Sequence, residues 1–343
     1  MPILITRRAL VAGAATLPLI SAARADTPKT KAEVYEAAKK EGKVVYWSAL
    51  DQPAIKEMAK VFNKTYPGIQ VEHFDILPGP ALERMVNESR AGRLSVDAFD
   101  TPVSYSPIVL DRDLCDPFTW QETFGLQKTE TFYDNKLIFS FTLDLPVAYN
   151  TKLVKPADVP KSWDDLLDPK WKGKILVEAR GITFTILMTK WGEEKTIAYL
   201  RKLLANKPVI IRGGTPTMEA VAGGQVAIAI GTYGGKVESA QLKGAPIEWA
   251  RVSPIPTQIY LNGTVKGAKH PNAARLWITW MRTPEAQAAL YQNMHFGMVV
   301  GPTLSPLGQK MKDAHMEIVL ESTDAKWANA MLKKVGDIIA GKA

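Results

Sequence analysis

The chain has 343 residues, of which 46% are hydrophobic and 23% charged, with a formal net charge of +8; this excludes a disordered or fibrous protein and leaves room for two separately cored lobes. The charge is spread, with lysines beside acids as in Lys39-Lys40-Glu41 and Glu193-Glu194-Lys195, and no basic stripe interleaved with aromatics, which argues against nucleic acid as a partner. Cys115 is the single cysteine, so an intramolecular disulfide is excluded, and it reads as a small packed residue.

The chain opens on Thr6-Arg7-Arg8, then an apolar run from Ala9 to Ile20, then Ser21-Ala22-Ala23-Arg24-Ala25. A positive start, an apolar stretch too short to span a bilayer and small residues at a cut after Ala25 form a secretory signal, with paired arginines of the twin-arginine kind. Its three arginines leave +5 on the 318 residues that follow. No later segment reaches the roughly 18 apolar residues of a membrane span, and the expectation is an exported, monomeric protein with no membrane insertion of the mature chain.

A helix is expected over Thr30–Glu41, stopped by Gly42, then a buried strand, Lys43–Trp47, and a loop, Ser48–Gln52. Pro53–Tyr66 has Ile55, Met58, Ala59 and Phe62 at helical spacing, and Ile69–Phe74 reads as the next strand. Leu77-Pro78-Gly79-Pro80 reads as a loop before a helix, Ala81–Gly92, and Val96–Asp100 as a third strand with Thr101-Pro102 just past its end. Strand, helix and strand in alternation predict a parallel α/β sheet.

Leu137–Asn150 reads as one or two strands, and a second alternating block follows Pro169. It comprises the strand Lys174–Ala179 with its exit loop Arg180-Gly181-Ile182-Thr183, helices Thr183–Trp191 and Glu194–Ala205, and the strand Pro208–Ile211. Arg212-Gly213-Gly214 then leads to Thr215, expected to cap a helix over Pro216–Gly223, and Val226–Ile230 leads to Gly231-Thr232-Tyr233-Gly234. Ile255–Val265 is a further extended segment, inferred with Leu137–Asn150 to cross between lobes. Helices Pro271–Met281, Pro284–Met294 and Lys326–Ala340 complete the reading.

The order and spacing of Gly42-Lys43-Val44-Val45-Tyr46, Val61–Val71, Pro146-Val147-Ala148-Tyr149-Asn150, Trp163–Lys174, Gly223–Ala229 and His270-Pro271-Asn272-Ala273-Ala274 resemble the periplasmic solute-binding proteins of ABC importers. The resemblance is to extracellular solute-binding family 1, ferric-ion-binding-like group, and it covers nearly all of the chain beyond the signal. It implies a two-lobe type II periplasmic-binding-protein fold of the α/β class with two extended crossover segments. Lobe 1 is expected over 26–139 and 262–300, and lobe 2 over 140–261 and 301–343. It further implies a periplasmic protein that closes its lobes over a small solute and delivers it to a permease in the inner membrane.

The ferric-binding branch places a histidine or acid after the first strand, an acid after the third, and adjacent tyrosines after a strand of the second lobe. This chain reads Trp47-Ser48-Ala49-Leu50-Asp51, Asp100-Thr101-Pro102 and Tyr233-Gly234 at those places, a depleted ligand set. His73, His270, His295 and His315 are scattered without ligand spacing and read as surface residues. The same loops carry Arg180-Gly181 and Arg212-Gly213-Gly214-Thr215. Guanidinium groups bind carboxylate or phosphonate in pairs of parallel bonds, glycine admits a ligand to the backbone, and a helix N-terminus favours negative charge. The expected ligand is therefore an organic anion, a carboxylate or phosphonate, with a ferric ion as the alternative and no cofactor.

Candidate site residues are Trp47, Ser48, Asp51, Pro80, Thr101, Arg180, Gly181, Arg212, Gly214, Thr215 and Tyr233. Trp47 reads equally as a stacking platform or a core plug, each arginine as a cleft or a rim residue, and Pro80 as part of a cleft loop or a structural turn. A Gly-x-Ser-x-Gly elbow and a Gly-x-Gly-x-x-Gly motif are both missing, and Asp164-Asp165 suits capping. The reading is a binding protein and not an enzyme, with an exported hydrolase as the alternative of another class.

Overall fold

The computed structural model describes residues 28–301 and 303–342. The expected signal and its cut after Ala25 lie outside the described residues.

Among the described residues, twelve strands form two sheets. They are β1 (Lys43–Ser48), β2 (Gln70–Asp75), β3 (Ala98–Pro102), β4 (Thr131–Phe132), β5 (Leu137–Asp144), β6 (Ala148–Asn150), β7 (Ile175–Glu178), β8 (Val209–Ile211), β9 (Ile228–Ile230), β10 (Ile247–Trp249), β11 (Ile255–Thr264) and β12 (Ile318–Leu320). The first sheet runs β2-β1-β3-β11-β5-β4, with β12 also paired to β11; the second runs β10-β6-β9-β7-β8. Strands β2, β1 and β3 are parallel, as are β8, β7 and β9, while β11, β5, β6 and β10 supply the antiparallel pairs.

Local chemistry accounts for most boundaries. Thr30 and Glu33 form a reciprocal capping box before the helix Lys31–Glu41, and Gly42 ends it at φ 75°. The helix Gln52–Thr65 turns Ile55, Met58 and Phe62 into the core, where Phe62 meets Trp277 and Trp280 edge-on, each at 5.2 Å. The Pro-Gly-Pro loop expected at 78–80 is instead the first turn of a helix, Pro78–Arg90. Proline suits that turn because the N–H it lacks would have no intrahelical partner. The helix expected at Pro216 starts at Gly214, capped by Gly213, and Thr215 makes no capping bond.

Two crossings between the sheets follow β5 and precede β11, and they hold each other: Leu145 donates to the Pro256 carbonyl at 2.8 Å and Ala250 to the Val147 carbonyl at 2.7 Å. The C-terminal segment makes a third. β12 pairs with β11 of the first sheet, and the helix Ala325–Ile339 then packs on the helix Ile182–Trp191 of the second. The expected assignment of 140–261 and 301–343 to lobe 2 therefore does not describe β12, nor residues 140–144 of β5 and 255–261 of β11, all of which lie in the first sheet.

Asp97 ties the first lobe together. Its buried carboxylate accepts from the Val45 and His270 amides at 2.8 and 3.0 Å and from His270 Nδ1 at 2.8 Å. His270, expected as a free surface residue, is thus tethered at the start of the helix Pro271–Trp280.

Candidate ligand-binding cleft

A cavity of about 410 Å³ lies between the sheets. The first lobe contributes Asp51, the start of the helix Pro78–Arg90, and Gln258 and Tyr260 from one face of β11. The second contributes Arg180, Thr185, Thr215, Tyr233 and Lys236. The C-terminal segment closes one side with Glu321 and Trp327.

Glu178, at the end of β7 and 3% exposed, organises the second-lobe wall. Its carboxylate accepts from Arg180 Nε at 2.8 Å, from the Arg180 amide at 3.1 Å and from the Gly213 amide at 2.8 Å. One carboxylate thereby fixes two strand-exit loops. Gly231, at φ 99°, lets the third pass close by, since a Cβ there would lie 2.5 Å from Glu178 Cβ. With Nε engaged, the Arg180 guanidinium is directed at the cavity beside Tyr233. Burial opposes its charge, but Tyr233 and Glu178 outweigh burial and hold its pKa above the ordinary value. The Tyr233 hydroxyl is itself raised by burial, against the pull of Arg180, and stays neutral.

Helices Ile182–Trp191, Gly214–Ala222 and Gly234–Leu242 all begin at this wall, and none has a side-chain cap. Their first-turn N–H groups are the donors that elsewhere bind anions at helix starts. Lys236 adds a second cation to the lining, its Nζ 5.9 Å from the Phe296 ring centroid.

The opposite wall has a different character. Tyr260 stacks on Phe141 at 4.7 Å, and burial raises its hydroxyl pKa well above the ordinary value. Gln258, 6% exposed, has its Oε1 buried without a hydrogen-bond partner. Glu321, 8% exposed, accepts from the Ile259 amide at 2.6 Å, and burial pushes its carboxyl up to about 8.

Of the residues singled out from sequence, Asp51, Pro80, Arg180, Thr215 and Tyr233 line the cavity. Trp47, Ser48, Thr101, Gly181, Arg212 and Gly214 do not. Trp47 is a core plug, 2% exposed between Phe74 and the Arg84 guanidinium, which lies 4.6 Å above its ring. Ser48 is turned toward His73 at 3.1 Å, and Thr101 is fully buried on the Pro102 carbonyl. Arg212 is exposed because β8 is the edge strand of its sheet, so its exit loop opens at the sheet margin. The glycines act on packing: a Cβ at Gly214 would lie 2.7 Å from the Tyr233 ring, and one at Gly181 would lie 2.2 Å from Val335. Asp100 is buried within β3, accepting from the Tyr46 hydroxyl at 3.3 Å.

Sequence reasoning missed Gln258, Tyr260, Lys236, Glu321 and Trp327. A signal existed for the first two, since strand alternation in the expected crossover Ile255–Val265 places them on one face. Glu321 follows a three-residue strand with no periodicity to read. Among the described residues no group of three or more His, Cys, Asp or Glu is arranged to hold a metal ion, and no helix is long and apolar enough to cross a membrane.

Residues 57–313 match the family described as bacterial extracellular solute-binding protein. The chain is 27% identical over 176 residues to an Fe(3+)-binding periplasmic protein of Serratia marcescens, covering 46% of this chain and 52% of that one. It is 27% identical over 213 residues to a putative 2-aminoethylphosphonate-binding periplasmic protein of Salmonella typhi, covering 57% and 60%. The matched segments thus span about half the length of these curated relatives. The crystal structure of the substrate binding protein of an ABC transporter from Agrobacterium tumefaciens superposes with a TM-score of 0.70 at 14% identity, over 89% of this chain and 97% of that one. The chain belongs to the bacterial extracellular solute-binding protein family, with the two-lobe type II periplasmic binding fold that its sequence implied.

Proposed function

We propose that this protein is the periplasmic substrate-binding component of an ABC importer and that it captures a small organic anion, a carboxylate or phosphonate, between its closing lobes. The observation that carries the reading is the Arg180 guanidinium, fixed by Glu178 and directed into the cavity where three helices begin uncapped. A guanidinium held at Nε by Glu178 and steadied by the Tyr233 hydroxyl still has N–H groups for a carboxylate or phosphonate, and helix starts add backbone donors for the same charge. Arg180 and Lys236 together also oppose entry of a bare ferric ion, and Tyr233 is neutral beside Arg180. The donors belong to the second lobe and Asp51, Gln258 and Tyr260 to the first, so a bound ligand bridges the two and favours the closed form by its differential contacts. The permease of the inner membrane recognises that closed form.

A thermal-shift panel tests this. Carboxylates and phosphonates are expected to raise the melting temperature of the wild type, by mass action on the folded state, and to leave Arg180→Ala unmoved without any product being formed. Stabilisation by ferric ion, polyamine or thiamine-like cations, with none by any carboxylate or phosphonate, overturns the reading. Consumption of the ligand during incubation would favour an exported hydrolase.

A further inference from the structure

We infer that the ligand is bipolar, its anionic group on Arg180 and Lys236 and an ammonium at its other end on the acceptor wall formed by Gln258 and Glu321. This rests on the anion reading above and extends it to the opposite wall.

The two walls are chemically unlike. The second lobe offers donors: a guanidinium, an ammonium, hydroxyls and helix N–H groups. The β11 wall offers acceptors. Gln258 Oε1 is buried with no partner, an arrangement that leaves a polar atom desolvated unless something brings it a proton. Glu321 stands beside it, because its carboxylate takes the amide of Ile259, the next residue along β11. Tyr260 and Trp327 line the same cavity, and aromatic rings favour a cation over a neutral group. A simple anion with an apolar tail would satisfy Arg180 and leave Gln258 bare. An ammonium carries three donors, enough to serve both acceptors.

Burial keeps Glu321 protonated at neutral pH, and the titratable groups facing it are the hydroxyls of Tyr133, Tyr233 and Tyr260, each raised by burial and neutral. An ammonium arriving next to it supplies the missing positive charge, so the carboxyl releases its proton to solvent as the ion pair forms.

The test is calorimetry with matched probes: 3-aminopropylphosphonate against propylphosphonate, and 4-aminobutyrate against butyrate, in buffers of different ionisation enthalpy. The amines are expected to bind at least about tenfold tighter than their deaminated partners, with net proton release. Gln258→Met, close in volume, is expected to shrink that ratio, the amines losing more affinity than propylphosphonate and butyrate. Glu321→Gln keeps an acceptor for the Ile259 amide and is expected to abolish the proton release. Equal or weaker binding of the amines overturns the bipolar ligand and leaves the anion reading standing. No binding of any of the four, or binding that survives Arg180→Ala, overturns the anion reading and this inference with it.

Discussion

Replacing Gly181 by alanine separates a packing role for this residue from a ligand-contact role. Gly181 sits at φ 72°, where an L side chain costs about 1–2 kcal/mol. Its new Cβ would lie 2.2 Å from Val335 Cγ1 and 3.0 Å from Ile339 Cδ1, both on the buried face of the helix Ala325–Ile339. Contact at that distance requires the helix to shift or its side chains to leave their rotamers, an overpacking cost of about 1–3 kcal/mol. The expected loss for Gly181→Ala is therefore about 2–5 kcal/mol, read from urea denaturation midpoints at constant slope. Val335→Ala removes the clashing methyl and alone costs about 2 kcal/mol. The double variant should be less damaged than the sum of the singles by about 1 kcal/mol or more, because only the backbone strain and the milder contacts with Ile339 Cδ1 at 3.0 Å and the Cβ of residue 335 at 3.2 Å remain. The same helix carries Trp327 and Leu332 of the cavity wall, so ligand affinity should fall in the single variant and recover partly in the double. A Gly181→Ala protein within about 0.5 kcal/mol of wild type, or strictly additive costs, refutes the packing argument.

Three further outcomes follow from the same geometry. Asp97→Ala strips three donors of their acceptor and is expected to cost about 2–4 kcal/mol in urea denaturation while leaving ligand affinity within twofold, since Asp97 is remote from the cavity; a loss under 0.5 kcal/mol would contradict its role as a tie. Burial raises Glu321 from 4.5 to about 8, so between those values the folded protein keeps a proton that the unfolded chain has lost. That contribution is whole below about pH 4 and disappears as pH rises through about 8. Glu321→Gln should therefore gain stability relative to wild type from pH 5 to 9, by on the order of a few kcal/mol, and a pH-independent difference would count against it. Arg212→Ala should leave anion affinity within twofold, because Arg212 is exposed at the margin of the second sheet; a tenfold loss would bring it back to the cleft.

The fold was legible where elements were long or capped. Thr30 with Glu33, Gly42, and the apolar face of Gln52–Thr65 mark their helices in sequence, and the apolar run from Leu137, read as one or two strands to Asn150, contains β5, buried at every position. Three-residue strands such as β10 and β12 carry no period, and their pairing is set by the crossovers they flank. The helix Gly234–Leu242 opens on two glycines, which read as a turn; they are needed because a Cβ at Gly234 would meet Asp144 and one at Gly235 the His295 carbonyl. At the site, strand-exit position identified Arg180 but gave Arg212 equal weight, because central and edge strands look alike until the sheet order is known. Glu178, which decides where Arg180 points, read simply as the last polar residue of a strand.

The most direct test of the anion-binding cleft is a crystal structure of the protein with a phosphonate that raises its melting temperature. Phosphonate oxygens are expected within hydrogen-bond distance of the Arg180 guanidinium, with the lobes closed over the Thr215 and Tyr233 helix starts. A ligand bound with Arg180 turned away, or a ferric ion held by Tyr233 in the same cavity, would contradict that expectation.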